Sequence, residues 1–210
     1  MRINTTIDSG IYLIIDPSMD EKILLSKLNL IVKEKIAAIQ IWDNFKDNQN
    51  IEELLLKIYE KTSLNNIPLI INNRWEYLKQ MPLNGIHFDE IPENFKSIKK
   101  EINRDFIIGI TCNNKLSTVK YAEDHHFDYV SFCSMFPSTT ANSCELVNFE
   151  TVQQSKSIFS GKIFLAGGID LNNIKNLNQL NYDGIAVVSG IMSSENPSET
   201  IKDYHQKIKK

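Results

Sequence analysis

The sequence predicts an α/β protein folded as a single (β/α)8 barrel, a TIM barrel, that spans residues 1–210 as one domain. Eight short apolar segments rich in Ile and Val alternate with longer amphipathic segments. Most of the short segments are apolar throughout, which is typical of parallel strands buried on both faces. A chain of 210 residues allows about 26 residues for each of eight units (210/8), enough for a barrel with few insertions.

The eight predicted strands are residues 11–15, 37–41, 68–71, 85–87, 106–110, 129–132, 162–166 and 184–188. Helical apolar spacing predicts helices over residues 19–33, 51–59, 75–80, 94–101, 117–126, 148–159, 171–180 and 198–209. We expect Ser117 and Asp170 to act as N-caps and Pro197 to stand just ahead of the last helix.

A doubly wound open sheet shares this alternation and is the competing fold. Its usual nucleotide signature, GxGxxG after the first strand, is absent here, because Ile15 is followed by Asp16, Pro17 and Ser18. The barrel is therefore favoured.

Composition limits the classes of partner. The net charge is −3 and the lysines are dispersed, so neither nucleic acid nor an anionic membrane is expected as a partner. The three cysteines show no CxxC spacing and their number is odd, which fits a reducing compartment. No apolar run approaches the roughly 20 residues of a membrane span. We expect a cytoplasmic protein.

Two glycine-bearing turns indicate a phosphate site. Gly167-Gly168 follows the seventh predicted strand, and Ser189-Gly190 follows Val188 at the end of the eighth. TIM barrels often bind phosphate with backbone amides of these two loops, and glycine lets the backbone approach an anion closely. Alternatively, the glycines only turn the chain. Two such turns in adjacent strands favour the phosphate site.

Several segments together resemble thiamine phosphate synthase and its relative, the thiazole tautomerase, over about residues 11–204. These segments are QIWD at 40–43, LIINNR at 69–74, GIH at 85–87, IGIT at 108–111, DYV at 128–130, MFPSTT at 135–140, AGGI at 166–169 and DGIAVVSGI at 183–191. The resemblance implies a homodimeric transferase that joins thiazole phosphate to a pyrimidine pyrophosphate, with Mg²⁺ assisting. It also implies ligand contacts at Gln40, Asn72, Asn73, Ser138, Thr140, Gly167, Gly168, Val188, Ser189 and Gly190.

The sequence departs from the family where pyrophosphate would bind. Trp42 replaces an arginine and Asn44 a lysine, while Asn73 replaces a metal-binding aspartate. Asp89 or Glu90 stands for the second aspartate. Past Thr140, Ala141-Asn142 occupies the place of another lysine. Because tryptophan and alanine cannot supply a guanidinium or an ammonium, the cations for a departing pyrophosphate are largely missing. No metal ligand is assigned from the sequence.

The tautomerase chemistry is also incomplete, since its histidine would lie two residues after Thr111, where Asn113 stands. The remaining catalytic candidates are His87, Thr111 and Cys112. Each has a structural alternative: His87 as a hydrogen-bonded core residue and Cys112 as a small buried hydrophobe.

Three hypotheses follow: a thiamine phosphate synthase-like protein that binds thiazole phosphate or thiamine phosphate, a non-catalytic carrier or sensor of such a ligand, and a tautomerase-like or other phosphate-dependent isomerase. All three predict a small phosphorylated ligand at the barrel mouth.

Overall fold

A computed structural model describes residues 5–138 and 145–208 and shows a closed barrel of eight parallel strands. The strands follow chain order around the barrel, and β8 closes onto β1 with Gly184 beside Gly10. They are β1 Gly10–Ile15, β2 Ala38–Ile41, β3 Leu69–Asn72, β4 Gly85–Phe88, β5 Ile107–Thr111, β6 Tyr129–Cys133, β7 Lys162–Ala166 and β8 Gly184–Val187. The predicted TIM barrel is confirmed, and the open sheet is excluded because the sheet is closed.

Eight α-helices surround the barrel in the described residues, and seven of them fall where the apolar periodicity predicts a helix. They are α1 Glu21–Ile31, α2 Ile51–Ser63, α3 Tyr77–Gln80, α4 Phe95–Ile102, α5 Leu116–Asp124, α6 Phe149–Ile158, α7 Ser189–Met192 and α8 Pro197–Lys207. The Asp20, Asn50 and Asn196 side chains cap α1, α2 and α8 by accepting a backbone N–H. Pro197 occupies the first turn of α8, where its missing N–H costs no hydrogen bond.

Successive side chains of each strand point to opposite faces, which divides the core into two layers. In β1, Ile11, Leu13 and Ile15 pack outward against the helices. Tyr12 belongs instead to a smaller cluster inside the barrel, which also contains Tyr129 and Phe164. Residues two apart on a strand share a face, so the inward positions stack toward the carboxyl end of the barrel. The polar members of this inner layer carry the site described below.

The connection between β7 and β8 differs from the sequence prediction. The predicted α-helix over residues 171–180 is a 3-10 helix, Ile174–Gln179. Asp170 was expected as its N-cap, but Asn173 holds that position. Asp170 instead accepts the backbone N–H groups of Asn172 and Asn173 in the preceding turn, at 2.7 and 2.9 Å.

Two further local predictions are wrong. Ser117 does not cap α5, because the helix already begins at Leu116 with Lys115 in the N-cap position. The short helix α7 was not predicted, since four residues are too few to show helical periodicity.

Within residues 5–138 and 145–208, no helix combines the length and the hydrophobicity needed to cross a bilayer.

Candidate functional site

Two adjoining cavities lie at the carboxyl ends of the strands. The inner cavity, of about 430 Å³, lies over Tyr12, Gln40, His87, Thr111, Tyr129 and Phe164. The glycine cavity, of about 310 Å³, lies against Ser138, Gly167, Gly168, Asp170, Ser189 and Gly190. Ile14, Cys133, Ala166, Ala186 and Val188 line both. Because these five residues line both cavities, the two cavities adjoin and together have the shape for one elongated ligand.

A chain of side-chain hydrogen bonds crosses the floor of the inner cavity. The Tyr12 hydroxyl donates to Gln40 Oε1 at 2.8 Å and lies 2.7 Å from the Tyr129 hydroxyl. The Tyr129 hydroxyl lies 3.0 Å from His87 Nδ1, and His87 Nε2 lies 2.9 Å from Thr111 Oγ1. These five side chains come from five different strands, so the barrel itself sets their positions.

The amide at one end of this chain fixes the direction of every bond in it. A tyrosine hydroxyl has a single proton, and that of Tyr12 goes to Gln40 Oε1. Tyr12 must therefore accept from Tyr129, and Tyr129 must accept from the Nδ1–H of His87. In a neutral ring, Nε2 then has no proton and accepts from the Thr111 hydroxyl. The network thus sets the Nδ1–H tautomer of a neutral His87.

Burial favours the same protonation states. Desolvation lowers the pKa of His87 to about 4, although the nearby charge of Asp89 acts in the opposite direction. Burial also raises the pKa of Tyr12 and of Tyr129 well above their ordinary value. At neutral pH, His87 and both tyrosines are uncharged. The prediction that His87 is hydrogen-bonded to a neighbour is confirmed.

Aromatic rings form the base of the inner cavity. Tyr12, Tyr129 and Phe164 pack with ring centroids 5.3 to 5.6 Å apart. Gly109, on the neighbouring strand, makes room for them, because a Cβ atom there would lie 2.0 Å from Tyr129 Cζ. A ring-shaped ligand group would meet an aromatic surface at this depth.

The end of β3 is tied to the end of β4 through amide side chains. Asn72 donates to the backbone oxygen of His87 at 3.2 Å and to Asp89 Oδ1 at 3.0 Å. Asn73 Nδ2 donates to Asp89 Oδ2 at 2.8 Å, and its Oδ1 accepts the N–H of Asp89 at 3.1 Å. Asn72 and Asp89 line the inner cavity, whereas Asn73 lines neither cavity. Asn73 therefore positions the Asp89 carboxylate.

The loop after β2 brings no cation into the inner cavity. Trp42 lines that cavity. Asn44 donates to Asp16 Oδ1 at 3.0 Å, which joins the loops after β1 and β2. The guanidinium of Arg74 lies 2.7 Å from Asp43 Oδ1 and 5.9 Å from the Phe45 ring centroid. Among the residues described, no lysine or arginine lines the inner cavity.

The backbone conformation and the close packing of these turns favour glycine in the glycine cavity. Gly167 and Gly168 have φ values of +84° and +64°. A Cβ atom on Gly168 would lie 2.5 Å from the backbone oxygen of Phe136, and one on Gly190 would lie 2.4 Å from the Tyr204 hydroxyl. Both side-chain directions point into packed protein, and Gly168 also has a positive φ, so glycine is favoured at both positions whether or not an anion binds. The phosphate site remains a prediction, now located in a defined cavity.

The other predicted residues divide between the two cavities. Gln40 and Thr111 line the inner cavity, Ser138 lines the glycine cavity, and Val188 lines both. Cys112 lines neither, and burial raises the pKa of its thiol to about 12. This burial favours the structural interpretation of Cys112. Thr140 lies outside the described residues.

Some lining residues were not predicted as functional from the sequence. Tyr12 and Tyr129 were counted only as strand residues, and Asn113 was noted only where a histidine was expected. The signal that could have found the tyrosines is a hydroxyl-bearing ring at an inward position of an otherwise apolar strand. Buried polar or hydroxyl-bearing residues line the inner cavity from five strands: Tyr12, Gln40, Asn72 and His87, with Tyr129 and Ser131 on β6.

Fold and cavities together define a TIM-barrel protein with a small-molecule site at the carboxyl ends of its strands. Comparison with known proteins identifies the family. The model of the thiamine monophosphate synthase family matches residues 11–191. The chain belongs to the thiamine monophosphate synthase family, as the resemblance indicated.

Individual relatives agree with this assignment. The thiamine-phosphate synthase of Methanobrevibacter smithii is 27% identical over 191 residues, covering 91% of each chain. That of Clostridium tetani is 28% identical over 207 residues, covering 95% of this chain and 96% of its own. Among solved structures, thiamine phosphate pyrophosphorylase from Pyrococcus furiosus superposes with a TM-score of 0.78 at 18% identity, covering 94% of both chains. At that identity the structural likeness supports the fold alone.

Proposed function

We propose that this protein binds thiazole phosphate or thiamine phosphate, with the phosphate in the glycine cavity and the ring system in the inner cavity. The observation that carries this proposal is that the two cavities adjoin and have five lining residues in common. One cavity is rich in glycine and backbone, and the other has an aromatic floor. The first amides of α7, at Ser189 and Gly190, have no acceptor within the helix and are suited to an anion.

Titration calorimetry with thiamine phosphate and with unphosphorylated thiamine tests the location of the phosphate. Ser189→Asp places a carboxylate beside the proposed anion at the first position of α7, where an acidic residue is structurally tolerated. We expect thiamine phosphate to bind at least tenfold more weakly to this variant, with little change for thiamine.

Ser193→Asp is the matched control, because it makes the same substitution at the exposed C-cap of the same helix. If both variants bind thiamine phosphate like the wild type, the phosphate does not occupy the glycine cavity and the proposal is wrong.

The side-chain oxygens around Asp89 are poorly suited to coordinate the Mg²⁺ of a magnesium diphosphate. Both Asp89 oxygens already accept amide N–H groups, and Asn73 Oδ1 is used by a backbone N–H. Among the described residues, no cluster of three or more His, Cys, Asp or Glu side chains could hold a metal ion. A hard cation needs charged oxygen ligands, and Asn73 supplies none. We therefore assign no step of a reaction to a metal ion at this site.

Synthase activity is the second candidate function, and membership of the family is the observation that favours it. It predicts thiamine phosphate formation from thiazole phosphate and pyrimidine pyrophosphate with Mg²⁺. Binding of thiamine phosphate without product in a sensitive assay would support a carrier or sensor instead.

An isomerase is a third candidate, because the Thr111 hydroxyl donates to His87 on the floor of the inner cavity. It predicts conversion of a thiazole tautomer that depends on His87. We also expect a homodimer, as in the family, and sedimentation or light scattering would measure the mass directly.

A further inference from the structure

The carbonyl oxygens of the turn after β7 are bonded to residues outside the glycine cavity. The Gly167 oxygen accepts the backbone N–H of Phe136 at 3.1 Å. The Gly168 oxygen accepts the side-chain N–H of Asn173 at 2.7 Å. Gly167 and Gly168 line the cavity, whereas Phe136 and Asn173 do not. Both carbonyls are therefore held on the side of the turn that faces away from the cavity.

The direction of each carbonyl sets the direction of the N–H group that follows it. In a trans peptide, which both peptides of this turn are, the C=O and the next N–H point in opposite directions. The bond from Phe136 thus directs the N–H of Gly168 toward the cavity, and the bond from Asn173 directs that of Ile169. Within residues 5–138 and 145–208, neither N–H group has an acceptor. Both are available to an anion.

Asn173 is bonded to the turn through both ends of its amide. While its Nδ2 donates to the Gly168 oxygen, its Oδ1 accepts the backbone N–H of Asp170 at 2.9 Å. The Asp170 carboxylate in turn accepts the backbone N–H of Asn173 at 2.9 Å. These reciprocal bonds fix the amide of Asn173 against the backbone of the turn. They also use the N–H of Asp170, which leaves those of Gly168 and Ile169 for a ligand.

The next carbonyl of the chain is bonded to the last helix. The buried Tyr204 of α8 donates its hydroxyl proton to the Ile169 oxygen at 3.3 Å. Three consecutive carbonyls, those of residues 167, 168 and 169, therefore each have a donor. The donor of Phe136 is a backbone group and Tyr204 is packed in the core, so Asn173 is the donor that a substitution removes with the least disturbance.

We propose that Asn173 is a positioning residue: its bond to the Gly168 oxygen aims the N–H of Ile169 at the phosphate of a bound ligand. This inference rests on the proposed function, since it assigns a donor to the phosphate proposed there. Asn173 does not line the cavity and acts only through the backbone. Without its bond the peptide between residues 168 and 169 can rotate, because glycine restricts the backbone little. A donor held in place beforehand needs no ordering when the ligand binds, which increases affinity.

Calorimetry on the full chain with thiamine phosphate and with thiamine tests this role. Asn173→Ala removes both bonds of the side-chain amide. We expect thiamine phosphate to bind about tenfold more weakly to this variant, and thiamine to change less than about twofold, because thiamine has no phosphate for the turn to bind. Asn172→Ala is the matched control, since it makes the same substitution at the adjacent, exposed residue and should bind both ligands like the wild type. An equal loss of both ligands in Asn173→Ala would overturn the inference.

Nuclear magnetic resonance of the wild type gives a second measurement that does not depend on any variant folding. An amide proton that begins to donate to a phosphate moves downfield in a ¹H–¹⁵N spectrum. We expect the signals of Gly168 and Ile169 to move downfield with thiamine phosphate and not with thiamine. In Asn173→Ala the movement of the Ile169 signal should fall by about half or more, because its N–H is no longer held toward the ligand. An Ile169 signal that moves equally with both ligands would overturn the inference.

The two proposals fail in different ways. If Ser189→Asp weakens thiamine phosphate as expected while Asn173→Ala binds it like the wild type, the proposed function stands and the role of Asn173 is wrong. If the wild type binds thiamine phosphate no more tightly than thiamine, the proposed function is wrong, and the role of Asn173 is wrong with it.

Discussion

His87 makes stability depend on pH in a window that the structure specifies. Burial lowers its pKa to about 4 in the folded protein, against the ordinary 6.5 of an unfolded chain. Between these values the unfolded chain binds more protons, so the free energy of unfolding falls as the pH falls. The contribution of neutral His87 to the free energy of unfolding is complete above pH 6.5 and is lost progressively down to pH 4. Proton linkage lowers the free energy of unfolding by about 2 kcal/mol between pH 7 and pH 5, and by about 3 kcal/mol in total.

Thermal unfolding of the wild type and of His87→Asn at pH 7 and pH 5 measures this effect. Asparagine can donate to Tyr129 as His87 does, but it does not titrate. Two kcal/mol corresponds to about 4–8 °C in a chain of this size. We therefore expect the wild type to lose about 4–8 °C more than the variant on moving from pH 7 to pH 5.

Other buried groups cancel in this comparison. Burial raises the pKa of Asp128, which acts in the opposite direction as the pH falls, but it does so equally in both proteins. If wild type and variant lose the same number of degrees, His87 is not held neutral, and the assignment of Thr111 as the donor to His87 would have to be abandoned.

Four further outcomes are expected. Arg104→Lys should lower the stability by about 2 kcal/mol in chemical denaturation, because the Arg104 guanidinium lies within hydrogen-bond distance of backbone oxygens at the end of α3 and in the segment that leads to β4. An unchanged midpoint would contradict this. Gly168→Ala should lower the melting temperature by about 4 °C or more without any ligand, since its φ is +64°, and a loss of ligand affinity alone would refute the packing argument. Cys112 should resist alkylation at pH 8 in the folded protein, because burial raises its pKa to about 12, and rapid labelling seen by peptide mapping would disprove it. Asn73→Asp should lower the melting temperature by about 2–4 °C, because it sets a carboxylate against Asp89, and added Mg²⁺ should reverse that loss; an unchanged melting temperature would show that the two side chains do not interact.

The barrel could be predicted from the sequence because its strands are locally unambiguous. Residues 162–166 were predicted as a strand with the bounds of β7. Every end of the other seven strands lies within one residue of its predicted position. Strand β3, for example, consists of three apolar residues and Asn72 and is buried along its whole length. This is the pattern of a parallel sheet covered on both faces, and a sequence can show it without knowledge of the tertiary structure.

The connection from β7 to β8 could not be predicted to the same degree. Its apolar residues Ile174 and Leu177 are three apart, a spacing that suits both an α-helix and a 3-10 helix. Side-chain bonds to the backbone hold the turn that leads into the 3-10 helix: Asn173 Nδ2 donates to the Gly168 oxygen at 2.7 Å, and Asp170 accepts the N–H of Asn172 at 2.7 Å. A periodicity argument does not include such contacts.

The candidate site was predictable in its location and only partly in its chemistry. The turns at Gly167-Gly168 and Ser189-Gly190 were recognised because glycine marks sharp turns in any sequence. The tyrosines of the hydrogen-bonded chain were not recognised, because Tyr12 and Tyr129 are 117 residues apart and only the closure of the barrel brings their hydroxyls to 2.7 Å. The direction of that chain depends on Gln40, a third partner that no local pattern connects to either tyrosine.

Asn73 shows why a substitution seen in one sequence is open to more than one interpretation. From the sequence, an asparagine in place of a metal-binding aspartate is a loss. In the structure, its amide forms a two-bond contact with Asp89, donating to the carboxylate and accepting the backbone N–H. An aspartate at this position could make only the second of these bonds and would repel Asp89 across the first. Asn73 and Asp89 are therefore a matched pair: the amide at position 73 supplies the N–H donor that the Asp89 carboxylate accepts.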